Sequence, residues 1–185
     1  MRIISGLYKG KKLLFINNKT TRPLRDMVKE SIFNIIEHSK FVKINIKNAK
    51  VLDLYSGTGS FGIECISRGA DRVTFVEKDS IALKVLNKNL NSLQLKRDYY
   101  EIKNDVYSIL NKNIDQNDIF FFDPPFSSEE YIQIISEIKK NNKFRKNNLF
   151  IIHRENKNTD SLEEFISIHL TKKYGRSKIV FGSIV

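Results

Sequence analysis

The chain of 185 residues carries 32 Lys/Arg against 21 Asp/Glu, a net charge of +11, and is 41% hydrophobic. That apolar fraction can build a core and excludes wholesale disorder, and the length suits one domain with a small appendage. No run of about 18 apolar residues offers a membrane span, Met1–Gly10 lacks the apolar stretch of a signal peptide, and the single cysteine, Cys65, excludes an internal disulfide and fits a reducing cytoplasm. The charge is unevenly spread: residues 1–50 hold 12 Lys/Arg and 3 Asp/Glu, a net +9, whereas residues 51–185 hold 20 and 18, a net +2. Codon bias toward lysine would not leave the larger part nearly neutral. The basic N-terminal region is what a polyanion, nucleic acid above all, would require.

In chain order, Arg2-Ile3-Ile4, the turn signal Ser5-Gly6 and Lys11–Phe15 predict a β-hairpin or two small strands. Lys9, Lys11 and Lys12 would project from it, with Tyr8 nearby as a stacking surface. Thr21-Arg22-Pro23 punctuates the chain, and Val28, Ile32, Ile35 and Ile36 predict an amphipathic helix over about residues 24–38. Arg22, Arg25 and Lys29 at its start oppose the helix dipole, which is unfavourable unless a phosphate or another anion is near.

Val51–Leu54 is a short apolar run of the kind that forms a strand buried on both faces, followed by Gly57-Thr58-Gly59 and a helix ending near Gly69. Strand, glycine turn and helix make half of a βαβ unit whose backbone N–H groups approach a ligand. Gly57-x-Gly59-x-x-Gly62 also fits the dinucleotide pattern. Asp53 discriminates: a carboxylate at the strand end sits badly beside a pyrophosphate and suits a ligand with a cationic amino group, the profile of S-adenosylmethionine. The pattern resembles motif I of the Rossmann-like methyltransferases.

Arg72–Val76 is a second strand ending in Glu77, an acceptor for ribose hydroxyls. Ser80 is the expected cap of a helix whose stripe is Ala82, Leu86, Leu90 and Leu93. Tyr99–Ile102 is a third strand, with Asp105 either an acceptor for an adenine amine, a cap for a helix over Val106–Leu110, or both. Ile119–Phe122 is a fourth strand that runs into Asp123-Pro124-Pro125-Phe126. Two prolines fix an extended backbone that can aim the Asp123 carboxylate and the Pro124 carbonyl at one exocyclic amine, with Phe126 stacked on its ring. Tyr131, Ile134, Ile135 and Ile138 predict a helix, Leu149–Ile152 a fifth strand, and Ile166–Leu170 with Lys178–Phe181 an antiparallel pair. His38, His153 and His169 show no metal-ligand spacing and are expected at the surface or in packing, with no metal site, and Cys65 is expected as a buried small residue.

The chain resembles the bacterial methyltransferase family that modifies guanine N2 in 16S ribosomal RNA, within the small-subunit class. The resemblance is carried by RIISGLYKGKKL, TRPLRDMVKESIFNII, DLYSGTGSFGIECISRGA, VEKD, DPPF and the terminal YGRSK-IVF, nearly the whole length. It implies a Rossmann-like S-adenosylmethionine-dependent methyltransferase fold: an α/β, doubly wound, seven-stranded sheet with the last strand antiparallel, plus an N-terminal β-hairpin and helix. Residues 1–45 would be a basic RNA-contacting extension and residues 46–185 the methyltransferase domain. Asp53, Tyr55, Gly57, Gly59, Glu77 and Asp105 would bind the cofactor, Asp123, Pro124, Pro125 and Phe126 would form the catalytic pocket, and Lys9, Lys11, Lys12, Arg22 and Arg25 would contact RNA. The implied partner is 16S rRNA in the assembled or assembling 30S subunit, the implied state a cytoplasmic monomer. Leu24 and Met27 stand where the family has Thr and Arg, and His153-Arg154-Glu155 where it commonly has a glutamate after the fifth strand. An adenine-N6 or protein-glutamine methyltransferase fits the same motifs; the non-enzyme alternative is an inactive RNA-binding assembly factor, against which the intact Asp53, Gly57, Gly59 and Asp123-Pro124-Pro125-Phe126 argue.

Overall fold

A computed structural model describes residues 1–16, 26–95, 100–102, 105–106, 116–159 and 161–185. Its elements are α1 (Asp26–His38), β1 (Lys50–Leu54), α2 (Ser60–Ser67), β2 (Arg72–Val76), α3 (Ser80–Ser92), β3 (Tyr100–Ile102), β4 (Asn117–Phe122), α4 (Glu130–Lys140), β5 (Phe144–Glu155), a 3-10 turn (Leu162–Glu164), β6 (Ser167–Tyr174) and β7 (Ser177–Ser183). Among the described residues the sheet has seven strands in the order β3-β2-β1-β4-β5-β7-β6. β1 to β5 are mutually parallel, and β7 runs antiparallel to both β5 and β6.

The apolar runs of β1, β2, β4 and the middle of β5 are continuous because these strands are covered on both faces, whereas β6 at the sheet edge has no fully buried residue. Val51, Ile119, Phe121, Leu149, Ile151, Ile179 and Phe181 enter one core with α1, α2 and α3. Leu52, Leu54, Phe120, Phe122, Phe150, Ile152 and Val180 enter the other with α4. Ile3 and Leu13 of the N-terminal segment and Val28, Ile32, Phe33 and Ile36 of α1 belong to the first core, so the basic extension is packed onto the sheet.

Three expectations differ in detail. The N-terminal hairpin is present but short: Arg2 and Lys12 form its antiparallel bridge, and Ile3 donates to the Lys11 carbonyl, Gly10 to that of Ile3 and Leu13 to that of Met1 at 2.9, 2.9 and 3.0 Å. The intervening amides turn to α2 instead: Ile4 and Ser5 donate to Glu64 at 2.8 and 2.9 Å, Leu7 to the Ser67 carbonyl at 2.7 Å, and Tyr8 to Ser67 Oγ at 3.0 Å. Donors consumed by a helix cannot build a ladder. The cap of α3 is Asp79, whose carboxylate accepts from Ala82 N at 2.7 Å, and not Ser80. Strand β5 begins at Phe144, five residues before the expected Leu149, and its early pairing to β4 is offset by a register shift. Arg22 and Arg25, the start of the 24–38 helix and most of Val106–Leu110 lie outside the described residues.

Candidate active site

Strands β1 and β4 lie side by side although the chain visits β2 and β3 between them. This is the topological switch point of a doubly wound sheet, where loops diverge and leave a crevice at the strands' carboxyl ends. Leu54 is level with Val76 on one side and Phe122 on the other, and Phe122 with Ile152. One residue further, Glu77, Tyr55, Asp123 and His153 therefore share the rim of the sheet.

On the β1 side the chain turns at once into α2. Tyr55, Gly57 and Gly59 have φ of 60, 55 and 85°, a left-handed path strained for Tyr55 and easy for the glycines. Helix α2 has no side-chain cap of its own. Asp53 supplies one from the strand, its Oδ2 accepting the Gly62 N–H at 2.9 Å, a carboxylate at the positive end of the helix. A Cβ at Gly62 would stand 2.4 Å from Phe75 Cε1 and 2.9 Å from Asp53 Oδ2, so this glycine serves helix-to-strand approach. Glu77 closes the loop from the other side: one oxygen accepts from Gly57 N at 2.8 Å, the other from Lys78 and Asp79 N at 2.9 and 2.8 Å.

Asp53 is 1% exposed, and its Oδ1 is buried without a hydrogen-bond partner among the described residues. Burial pushes its carboxyl well above the usual carboxylate range, Asp123 and Glu77 add to the push, and the Gly62 N–H opposes it. Three acidic side chains around one crevice, one with a buried oxygen that has no partner among the described residues, suit a cationic ligand.

Across the crevice, Asp123 N–H reaches the Leu54 carbonyl at 3.4 Å. Arg154 of β5 is 1% exposed and reaches under the Asp123–Phe126 loop, donating to the carbonyls of Pro125 and Phe126, each at 3.1 Å, while its guanidinium lies 4.6 Å from the Tyr131 ring centre. Asn158 donates to the Phe126 carbonyl at 3.2 Å. Among the described residues nothing bonds to the Pro124 carbonyl. His153 Nδ1 lies 2.8 Å from Asp123 Oδ1, and its ring meets Phe126 edge to face at 5.6 Å and 83°.

The structure thus brings together Asp53, Tyr55, Gly57, Gly59 and Glu77 on one wall and Asp123, Pro124, Pro125 and Phe126 on the other. Asp105 is exposed beyond β3. Lys9, Lys11 and Lys12 are exposed at the N-terminal bridge, with Lys11 Nζ 5.4 Å from the Tyr8 ring centre. Lys29, grouped by sequence with the cations that need an anion nearby, finds it inside the protein: it is fully buried between the Arg2 carbonyl at 2.8 Å and Glu64 at 3.5 Å. His153, expected at the surface or in packing, does pack on Phe126 and in addition bonds the Asp123 carboxylate. Cys65 is buried as expected, and burial pushes its thiol up, far from a nucleophile.

Comparisons with known proteins agree with this fold. The sequence model of the family described as Conserved hypothetical protein 95 matches residues 1–183. Ribosomal RNA small subunit methyltransferase D of Haemophilus influenzae is 35% identical over 158 residues, 84% of this chain and 79% of that protein. The protein of the same name from Buchnera aphidicola is 36% identical over 156 residues, 84% of this chain and 76% of that protein. A solved Escherichia coli structure, described as a candidate methyltransferase, superposes with a TM-score of 0.84 at 26% identity, covering 100% of this chain and 97% of that one. On this match along nearly its whole length, the chain has the methyltransferase fold and belongs to the Conserved hypothetical protein 95 family, and it is similar over most of its length to the small-subunit ribosomal RNA methyltransferases D.

Proposed function

We propose that the protein transfers a methyl group from S-adenosylmethionine to the exocyclic N2 amine of one guanine in 16S rRNA of the 30S subunit. The observation that carries the reading is the meeting, at one switch point, of a buried carboxylate oxygen without a partner and a proline-fixed acidic loop. The names of the relatives support ribosomal RNA as the substrate.

S-adenosylmethionine supplies, when bound, an electrophilic methyl group on a sulfonium. The residues present fit it. Asp53 Oδ1 would take its ammonium, the loop from Tyr55 to Gly59 its chain, Glu77 its ribose and Asp105 its adenine. On the opposite wall the Asp123 carboxylate and the open Pro124 carbonyl are the two acceptors for the amine's hydrogens. Gripping both hydrogens turns the nitrogen toward a tetrahedral form and aims its lone pair. The nitrogen would take the methyl group as that group's bond to the sulfonium breaks, the bonding pair staying on sulfur, and would then give up one proton to solvent water; Asp123 is the acidic group beside it that stabilises the developing positive charge. Phe126, half-buried at the mouth, would stack on the base once it leaves its own stack. The exposed lysines of residues 1–45 would hold the RNA backbone, and residues 46–185 would carry the chemistry.

The test offers labelled methyl donor with naked 16S rRNA, 30S subunits and DNA in parallel, followed by nucleoside analysis of the product. N2-methylguanosine in the small-subunit RNA is the expected result. N6-methyladenosine, or label in protein, would move the assignment to another amine or amide. No transfer to any of them, with RNA still bound, would leave an assembly factor.

A further inference from the structure

We propose that His153 is a positioning residue for this reaction: its Nδ1–H holds the Asp123 carboxylate by Oδ1 and so leaves Oδ2 for the target amine. The inference rests on the reading that Asp123 grips that amine.

Three observations carry it. The Nδ1–Oδ1 separation of 2.8 Å is a full hydrogen bond, and among the described residues Oδ2 of Asp123 has none. His153 Nε2 is buried without a partner, which decides the tautomer of the neutral ring. A proton on Nε2 would be a buried unsatisfied donor and would set the Nδ1 lone pair against the carboxylate. A proton on Nδ1 removes both conflicts. Finally, the same imidazole packs edge to face on Phe126, so one side chain fixes the acid and the aromatic residue that form the two ends of the tetrapeptide. Its neighbour Arg154 holds the carbonyls of Pro125 and Phe126. Successive residues of one strand point to opposite faces, so β5 grips the loop from two sides.

A freed carboxylate can rotate, and a misplacement of about 1 Å at a reacting centre can cost roughly a hundredfold in rate. His153→Ala is therefore expected to lower kcat by about ten- to a hundredfold, with KM for 30S subunits and S-adenosylhomocysteine affinity unchanged. His153→Asn places an amide N–H where Nδ1–H stands and is expected to restore much of the rate. His153→Gln extends its amide to the Nε2 position and is not. Nitrogen NMR of the wild-type protein is expected to show His153 protonated on Nδ1, a readout that needs neither activity nor a foldable variant. An Nε2–H tautomer, a His153→Ala enzyme with the wild-type kcat, or equal recovery by Asn and Gln overturns the inference. If Asp123→Ala keeps the wild-type rate, or the wild type transfers no methyl, the reading of the site falls and this inference falls with it.

Discussion

Asp53 is at once a helix cap and an uncompensated buried acid, and the two roles make opposite demands on its proton. With its folded pKa raised above the unfolded value, its contribution to stability is complete below the unfolded pKa and is lost as pH rises through the folded one. The ligand-free protein should therefore weaken as pH climbs through that window, and Asp53→Asn should flatten the decline in thermal melts. An ammonium placed on Oδ1 favours the carboxylate, so binding of S-adenosylhomocysteine should release a proton. Calorimetry in two buffers of different ionisation enthalpy should register that release in the wild type and none in Asp53→Asn. Across the crevice, Asp123→Ala should cost roughly 10²–10³-fold in kcat with cofactor affinity intact, measured by single-turnover methylation. Phe126→Ala should weaken capture of the base by about 1–3 kcal/mol. The sequence exposed both acids because Asp53 interrupts one apolar strand and Asp123 directly follows another, but it hid His153. That residue lies 30 positions from Asp123 and meets it only because β4 and β5 are parallel and in register. The one available signal was that His153, like Asp123, directly follows an apolar strand run, Ile151-Ile152.

Among the elements, α2 is the joint between chemistry and fold. Its first turn receives Asp53, its inner face stacks Phe61 on Phe121 of β4 at 4.0 Å, and its outer end holds the N-terminal segment through Glu64 and Ser67. Its closeness to the sheet depends on Gly62. Gly62→Ala would drive a methyl group against Phe75, Val73 and Asp53. A loss of about 1–3 kcal/mol is expected from such overpacking, readable by urea unfolding, with S-adenosylhomocysteine affinity falling as Asp53 is displaced. The strands and helices around α2 were legible in the sequence because two-sided burial writes itself as unbroken apolar runs and one-sided burial as helical stripes. What stayed illegible were choices between near-equivalents. Asp79 and Ser80 are both good caps, and only the geometry of α3 selects the first. The early part of β5, Arg145-Lys146-Asn147, is exposed and polar, so no apolar pattern announces it. The hairpin stays short because acceptors on α2 capture the amides of Ile4, Ser5 and Tyr8.

At the scale of the whole molecule, the uneven charge acquires a location. Lys9, Lys11 and Lys12 are exposed on the bridge that rests on α2, while Lys29, from the same stretch of sequence, is spent inside on Glu64. Composition counted these lysines alike, and only packing separates a solvent-facing cation from a buried one. Replacing Lys9, Lys11 and Lys12 with Gln should therefore weaken RNA binding and reduce the slope of log affinity against log salt by about 3. Filter binding across a salt series measures the slope, and an unchanged cofactor affinity shows that the site is intact. The attachment of this segment also has a consequence for timing. Ile4, Ser5 and Tyr8 find their partners 59 or 60 residues downstream, and Leu14 finds Asn89 75 residues downstream. At about 5–20 residues synthesised per second, the first stretch to leave the ribosome waits on the order of 3–15 s for the acceptors that will fix it. The beginning of the chain is thus among the last parts to settle, and its lysines gain a fixed arrangement only when the helix following the glycine loop has been made.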